Sequence, residues 1–188
     1  RNNNSLALNI LSSINQNTID NGQMLFRSES ETMPINISDV TFELCDNTMV
    51  AYVVTGTISN VTIKGGKYGI NVSGAAKIEN CTFEGQSGEA IYFKDEVGAP
   101  GAVVDGCTFN LKTKRVCALW SNEIFTNNTI NYEGEAITGL TILANSSATV
   151  TGNTMPEDTK LEIYILDDSQ GSFTLSDNNI AGSVFTDG

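Results

Sequence analysis

The sequence contains no histidine. It therefore lacks a His-dependent catalytic triad, a zinc site with imidazole ligands and an imidazole acid or base. Charged residues are also scarce, at 17% of the 188 residues against about 25% in an average soluble domain. Only 10 residues are Lys or Arg, whereas 22 are Asp or Glu. Because phosphate neutralisation needs clustered basic residues, we expect no nucleic-acid partner.

Long apolar runs are missing as well. No run approaches the roughly 20 residues that span a bilayer, so we expect no membrane span. No signal peptide is visible, and the first residue is Arg1 rather than methionine, which indicates that the start of the chain has been processed or trimmed. Apolar residues nevertheless make up 40% of a chain whose length fits one domain, and this is enough to bury a core.

Neutral polar residues are abundant, with 21 Asn and 20 Thr, and many of them belong to a repeated phrase. The phrase recurs at intervals of 20 to 26 residues, and an apolar residue always lies two positions before it. Its eight copies are Gln16-Asn17-Thr18-Ile19, Asp39-Val40-Thr41-Phe42, Asn60-Val61-Thr62-Ile63, Asn80-Cys81-Thr82-Phe83, Gly106-Cys107-Thr108-Phe109, Asn127-Asn128-Thr129-Ile130, Gly152-Asn153-Thr154-Met155 and Asp177-Asn178-Asn179-Ile180. The preceding apolar residues are Ile14, Ile37, Ile58, Ile78, Val104, Phe125, Val150 and Leu175. Self-similarity of this period predicts a solenoid of stacked repeats.

A second phrase follows the first in each repeat and alternates apolar with polar residues. Examples are Ala51-Tyr52-Val53, Ile70-Asn71-Val72, Ile91-Tyr92-Phe93 and Ile163-Tyr164-Ile165. Such segments are typical of strands with one buried face, and the repeat is too short for a strand–helix–strand unit. The sequence therefore predicts an all-β solenoid of about eight coils, with three short strands per coil. We assign residues 14–188 to this domain and residues 1–13 to an N-terminal cap, because the stretch from Ser5 to Leu11 has an amphipathic composition.

The pattern resembles the right-handed parallel β-helix proteins, the pectate-lyase-like superfold. The resemblance rests on the Ile-x-x-Asn-x-Phe phrase and on the later Gly-Ile or Ala-Ile strand, and it covers residues 14–185. A leucine-rich repeat does not fit, because leucine is not the periodic residue and no helical segment fits inside the period. The superfold carries many activities, so the resemblance is specific for the fold and weak for the function.

The resemblance also implies an inward column at a sharp bend, which typically carries asparagine. In this chain the column is Asn17, Val40, Val61, Cys81, Cys107, Asn128, Asn153 and Asn178. Cys81 and Cys107 fall on neighbouring coils within disulfide range, so a disulfide and a pair of buried free thiols are both open hypotheses. Cys45 and Cys117 have no matching column. The four cysteines lack Cys-x-x-Cys spacing, so we expect no zinc or other metal site.

The second-phrase strands predict an outward column of tyrosines. Its members are Tyr52, Asn71, Tyr92, Thr138 and Tyr164, with Leu119 or a neighbour in the intervening coil. Tyrosine combines an apolar face with a polar tip, which suits a sugar ring or a protein partner. The resemblance implies that polysaccharide-cleaving relatives place their clefts on the corresponding sheet. Tyr52, Asn71, Tyr92 and Tyr164 are therefore a candidate carbohydrate- or partner-binding face, and the alternative is that the tyrosines pack half-buried under loops.

Catalysis is the competing hypothesis. The resemblance implies Asp clusters with His and an Arg-x-Lys element for a hydrolase, and this chain has no His. For a lyase it implies several carboxylates that hold Ca²⁺ and an Arg or Lys base. Lys94, Asp95 and Glu96 lie in one loop, with Arg115 on the next coil, so Asp95 and Glu96 are a candidate acidic loop site. Because Ca²⁺ needs six to eight oxygen ligands, these acids suggest it only weakly, and we expect no cofactor.

We therefore predict a non-catalytic extracellular or cell-surface module with a structural, adhesive or self-assembling role, as a filament or a stalk. Uniform coils with short turns form a rod rather than a pocket. The expected partners are a second copy stacked end to end, since no C-terminal cap is evident, or a surface polysaccharide. The alternative function is a polysaccharide lyase or glycoside hydrolase domain that uses the tyrosine-bearing sheet.

Overall fold

The computed structural model describes residues 6–9, 13–15, 24–29, 31–94, 101–112, 115–132, 137–142, 147–155, 161–166, 174–180 and 183–187. These residues form strands, turns and irregular segments, and no helix occurs among them. No helix in this part of the chain could therefore cross a membrane.

Each coil of the chain contributes three strands in succession. The first four coils contain β1 (Leu6–Asn9), β2 (Ser13–Asn15), β3 (Met24–Arg27), β4 (Ile35–Ser38), β5 (Thr41–Leu44), β6 (Met49–Val53), β7 (Gly56–Ser59), β8 (Thr62–Gly65), β9 (Ile70–Val72), β10 (Ala76–Glu79), β11 (Thr82–Glu84) and β12 (Ile91–Phe93). The last four contain β13 (Val103–Asp105), β14 (Thr108–Leu111), β15 (Cys117–Leu119), β16 (Ile124–Thr126), β17 (Thr129–Tyr132), β18 (Ile137–Ile142), β19 (Thr149–Thr151), β20 (Thr154–Met155), β21 (Leu161–Leu166), β22 (Thr174–Ser176), β23 (Asn179–Ile180) and β24 (Ser183–Asp187).

Equivalent strands of successive coils pair in parallel and build three long sheets. The first sheet has the order β1-β4-β7-β10-β13-β16-β19-β22, and the second has the order β2-β5-β8-β11-β14-β17-β20-β23. The third consists of two four-stranded parts, β3-β6-β9-β12 and β15-β18-β21-β24. A hydrogen bond of 3.0 Å from Ile91 N to Val116 O links these two parts. The predicted all-β parallel β-helix with three short strands per coil is therefore confirmed.

The core lies between the three sheets and is built from stacked apolar columns. In the first sheet Ile37, Ile58 and Ile78 are buried in register, and in the second Phe42 and Ile63 begin an equivalent column. The second-sheet column continues with Phe83, Phe109, Ile130 and Met155, all buried. Because strands such as β4 and β11 alternate buried and half-buried residues, the stacked coils bury one continuous hydrophobic interior.

The corner that connects the first sheet to the second has the same length and backbone conformation in seven coils. Each first-sheet strand from β4 onward is separated from the following second-sheet strand by two residues. The first of the two has a φ of 53–67° in all seven coils, and these residues are Asp39, Asn60, Asn80, Gly106, Asn127, Gly152 and Asp177. Only Gly, Asn and Asp adopt this left-handed conformation at low cost, which explains why the repeated phrase begins with one of them in every one of these coils.

The second corner residue points into the core and forms the predicted ladder. Val40, Val61, Cys81 and Cys107 are buried, and so are the amides of Asn128 and Asn153, each 1% exposed. Along the rod the ladder residue changes from Val to Cys and then to Asn, so the earlier coils have an apolar ladder and the later coils a polar one. Asn17, which was assigned to the same column, lies outside the described residues.

The asparagines of the ladder bond from coil to coil. Asn153 Oδ1 accepts hydrogen bonds from Asn128 N at 2.9 Å and from Asn128 Nδ2 at 3.0 Å. Asn153 Nδ2 in turn donates to Asn178 Oδ1 at 2.9 Å and to Phe125 O at 2.9 Å. Each buried amide therefore satisfies both its own polar atoms and a backbone group of its neighbour, which is the condition for an amide to be tolerated in a core.

The two central cysteines of the ladder are free thiols in the structure. Cys81 N donates to Cys107 Sγ at 3.4 Å, so the sulfur of Cys107 occupies the acceptor position that asparagine Oδ1 fills in the later coils. A hydrogen bond to Cys81 and burial raise the pKa of the Cys107 thiol, which keeps it protonated. The pair thus continues the ladder with sulfur in place of amide.

The first coil differs from the sequence interpretation. Leu8 pairs with Ile37, and Ile14 pairs with Phe42. The sequence interpretation aligned the phrase at Gln16 by its spacing and so placed Ile14 in the column of Ile37. This placement was wrong, because the strand register, which determines the columns, pairs Ile14 with Phe42. Within the segment assigned to an N-terminal cap, β1 already pairs with β4 as part of the first sheet.

Candidate functional site

The candidate face lies on the third sheet, where four strands present an outward column. Arg27 on β3 pairs with Tyr52 on β6, and Asn71 on β9 lies between Tyr52 and Tyr92 on β12. Tyr52, Asn71 and Tyr92 are half-buried, whereas the residues on both sides of each of them are buried. The alternation of each strand therefore places these three side chains outward and in register, one coil apart.

The same column continues through the second part of the third sheet. Its members there are Ala118, Thr141, Tyr164 and Phe185 by register. Tyr164 lies at the register position predicted for it, but Thr138 does not, because Thr138 pairs with Glu162. A register irregularity between Thr138 and Leu140 shifts the strand and brings Thr141 into the column instead. In the coil for which Leu119 or a neighbour was predicted, the register position belongs to Ala118. Ala118 and Leu119 are both buried, so this coil places no exposed side chain in the column.

A further tyrosine joins the face from a turn. Tyr68 lies just before β9, and its ring centroid is 5.0 Å from that of Tyr92, with an interplanar angle of 41°. The ammonium of Lys67 lies 5.2 Å from the centroid of the Tyr68 ring, and the guanidinium carbon of Arg27 lies 6.0 Å from that of Tyr52. The face thus combines three aromatic rings with two cations near their faces, which is a cation–π arrangement.

The amide of Asn71 carries an unsatisfied acceptor in the middle of this face. Within the part of the chain that the structure describes, Asn71 Oδ1 is buried and has no hydrogen-bond partner. Such an orphaned acceptor costs about 1–3 kcal/mol in a folded protein, so it needs an explanation. This oxygen therefore lowers the stability of the fold at the Asn71 position.

The carboxylates near this face are engaged in structural contacts. Glu89 Oε1 lies 2.5 Å from Arg115 Nε in an ion pair between neighbouring coils. Glu123 Oε2 accepts a hydrogen bond from Ser121 N at 2.8 Å, and burial raises the pKa of this carboxyl group. A raised pKa marks a candidate acid, but this oxygen is bound to the backbone of its own turn.

By backbone register, the column from Arg27 to Phe185 has no Asp or Glu at any of its eight positions. Asp95 and Glu96, the predicted acidic loop site, lie outside the described residues. Among the residues that are described, no group of three or more His, Cys, Asp or Glu side chains could hold a metal ion. The described residues of this face therefore present aromatic rings, an amide and cations.

The comparisons with known proteins agree with the architecture. A family model described as a right handed beta helix region matches residues 45–186, which is more than half of the chain. No curated protein and no solved structure matches the sequence significantly.

Proposed function

The chain belongs to the right-handed β-helix family, and from this premise we propose that it is a non-catalytic module with a structural and adhesive role, located outside the cell or on its surface. The outward face of the third sheet around Tyr52, Asn71 and Tyr92 binds a surface polysaccharide. The fold supplies a rigid rod, and the face supplies the contacts.

The observation that carries this proposal is the composition of the outward column. Tyr52 and Tyr92 flank Asn71 in register, and Tyr68 packs against Tyr92 with its ring centroid 5.0 Å away. Aromatic faces suit the C–H faces of sugar rings, and an amide suits their hydroxyl groups. Parallel strands repeat about every 4.8 Å, which fixes the rings in a row along the rod, and an extended polysaccharide can follow that row.

The alternative is a polysaccharide lyase or glycoside hydrolase. Hydrolysis of a glycosidic bond ordinarily requires a pair of carboxyl groups on either side of the scissile bond. The column has none. Of the described carboxylates near it, Glu29 is paired with Arg27, Glu89 with Arg115, and Glu123 accepts a hydrogen bond from Ser121 N. This arrangement supports binding over hydrolysis.

Substitution of Tyr92 tests the proposal. Tyr92→Ala should weaken binding to a polysaccharide by about five- to thirtyfold, because a stacked aromatic anchor contributes of the order of 1–2 kcal/mol. Binding of the intact chain is first screened on a panel of xylan, cellulose, chitin, polygalacturonate and dextran by affinity electrophoresis, and the affinity for the polysaccharide found is then measured by calorimetry.

Two controls make the result specific. Tyr92→Phe keeps the ring and should bind nearly as well as the native chain, and Thr62→Ala changes an outward residue of the second sheet and should have no effect. Equal affinity of Tyr92→Ala and the native chain would overturn the proposal, as would a panel with no binder. Shortening of the polysaccharide during incubation would favour the enzymatic alternative.

End-to-end association of coils is the second part of the proposed role. In the described residues, β22 pairs only with β19 and β23 only with β20. The open side of such a strand presents backbone N–H and C=O groups that another parallel strand can pair with, and contacts that do not close produce rods. Size-exclusion chromatography with light scattering should therefore show concentration-dependent oligomers, and electron microscopy should show rods. A compact monomer at all concentrations would contradict this.

A further inference from the structure

A groove lies on the second sheet, on a different side of the rod from the tyrosine column. Its volume is about 330 Å³, and it is lined by Glu84, Asn110, Leu111, Lys112, Asn131 and Tyr132. These residues come from β11, β14 and β17 and from Lys112 directly after β14. The groove therefore spans three successive coils.

The register of the strands arranges the lining in two rows. Glu84 pairs with Asn110, and Asn110 pairs with Asn131, so a carboxylate and two amides form one row. Leu111 pairs with Tyr132 in the other row. Leu111 is buried, and Tyr132 is half-buried and packs against the hydrophobic core, which fixes the position of the Tyr132 ring. The result is a polar row beside an apolar, aromatic row.

The two amides are ordered by a bond to each other. Asn131 Nδ2 donates to Asn110 Oδ1 at 2.9 Å. This bond fixes the orientation of both side chains and leaves Asn110 Nδ2 as a donor and Asn131 Oδ1 as an acceptor on neighbouring coils. A donor and an acceptor side by side match a pair of hydroxyl groups, each of which can both donate and accept.

The charges of the groove nearly cancel. Glu84 contributes one carboxylate, which Lys64 approaches at 3.9 Å from the previous coil, and Lys112 contributes one ammonium. The stem of Lys112 lies over Gly85, where an added Cβ would be 3.7 Å from both Cδ and Nζ of the lysine. Lys64 lies outside the lining, so the described lining residues carry one acid and one base. In a chain of net charge -12 such a lining does not favour an anion.

We propose that this groove is a binding site for a short uncharged oligosaccharide. A sugar ring packs on the Tyr132 ring, which Leu111 supports from the core side. Its hydroxyl groups bond to Asn110 Nδ2 and Asn131 Oδ1, and Glu84 and Lys112 bond hydroxyl groups at the two ends. The site does not depend on the tyrosine column of the third sheet. With both sites occupied, the rod holds two sugar chains on different sides.

The test is a titration followed by ¹⁵N–¹H correlation NMR with cellohexaose, xylohexaose, mannohexaose and maltohexaose as uncharged probes, and trigalacturonate as the charged one. At least one uncharged probe should shift the amide signals of residues 84–85, 110–112 and 131–132. Tyr132→Ala and Asn131→Ala should each weaken that binding by about tenfold or more, whereas Tyr132→Phe should retain it. The spectrum of each variant without sugar shows that it is folded.

Tyr92→Ala is the matched aromatic control and separates this site from the third-sheet face. It should leave the groove shifts and their affinity unchanged. If no uncharged probe shifts the groove signals at millimolar concentration, or if Tyr92→Ala and not Tyr132→Ala abolishes them, the groove proposal is overturned while the third-sheet proposal stands. Tighter binding of trigalacturonate than of every uncharged probe at these signals would also overturn it.

Discussion

Replacement of Asn153 by alanine is expected to lower the free energy of unfolding by about 3–5 kcal/mol, because several buried polar groups lose their partners at once. Asn128 N and Asn128 Nδ2 both donate to Asn153 Oδ1, and Phe125 O accepts from Asn153 Nδ2. Asn153 is only 1% exposed, so water does not replace these bonds without opening the core. The loss is measured by urea denaturation followed by circular dichroism.

Asn131→Ala is the matched control for this substitution. Asn131 is half-buried on the outside of the second sheet, and its side chain bonds to Asn110 Oδ1 alone among the described residues. We expect its replacement to cost no more than about 1 kcal/mol. Nearly equal losses for the two variants would show that the ladder does not stabilise the helix.

The second large effect is expected at the centre of the core. Phe109 has no exposed surface, and its ring lies between Phe83, at 5.0 Å, and Phe125, at 5.7 Å between centroids. Phe109→Ala removes the middle ring of this stack and leaves a cavity that neighbouring strands cannot close, because their backbones are fixed by the parallel sheets. A loss of about 3–5 kcal/mol follows.

Phe109→Leu separates the cavity from the loss of aromatic contact. Leucine fills much of the space, so we expect a loss of about 1–2 kcal/mol, of which the ring contacts contribute part. Both variants are measured by urea denaturation at the same pH. A loss below 1 kcal/mol for Phe109→Ala would mean that the coils slide together to fill the space, and the premise of a rigid stack would be wrong.

Much of the architecture is readable from the sequence because one corner is strictly periodic. A residue that tolerates a positive φ is followed by an inward side chain and then by Thr or Asn at the start of the next strand, so the phrase keeps its spacing relative to the core in every coil from Asp39 to Asp177. The alternation of the third-sheet strands likewise predicts the outward positions of Tyr52, Asn71 and Tyr92.

The parts of the site that were missed depend on contacts outside these periodic positions. Tyr68 lies in a turn, where no alternation indicates direction, and only the packing of its ring on Tyr92 reveals it. Thr138 was misplaced because an irregularity between Thr138 and Leu140 changes the count along β18. The groove beside Tyr132 is formed by side chains of three coils. The sequence of a single repeat therefore does not predict it.

The two-residue corner between the first and second sheets also limits how this protein can change in length. In each coil from the second onward that corner has two residues, whereas the connection from the second sheet to the third ranges from two residues between β23 and β24 to eight between β2 and β3. Insertions and deletions during evolution are therefore expected to accumulate at the other two corners. The same reasoning tells a protein engineer where a foreign peptide can be grafted: beside the third sheet, and never between an Asp or Asn of positive φ and the ladder residue that follows it.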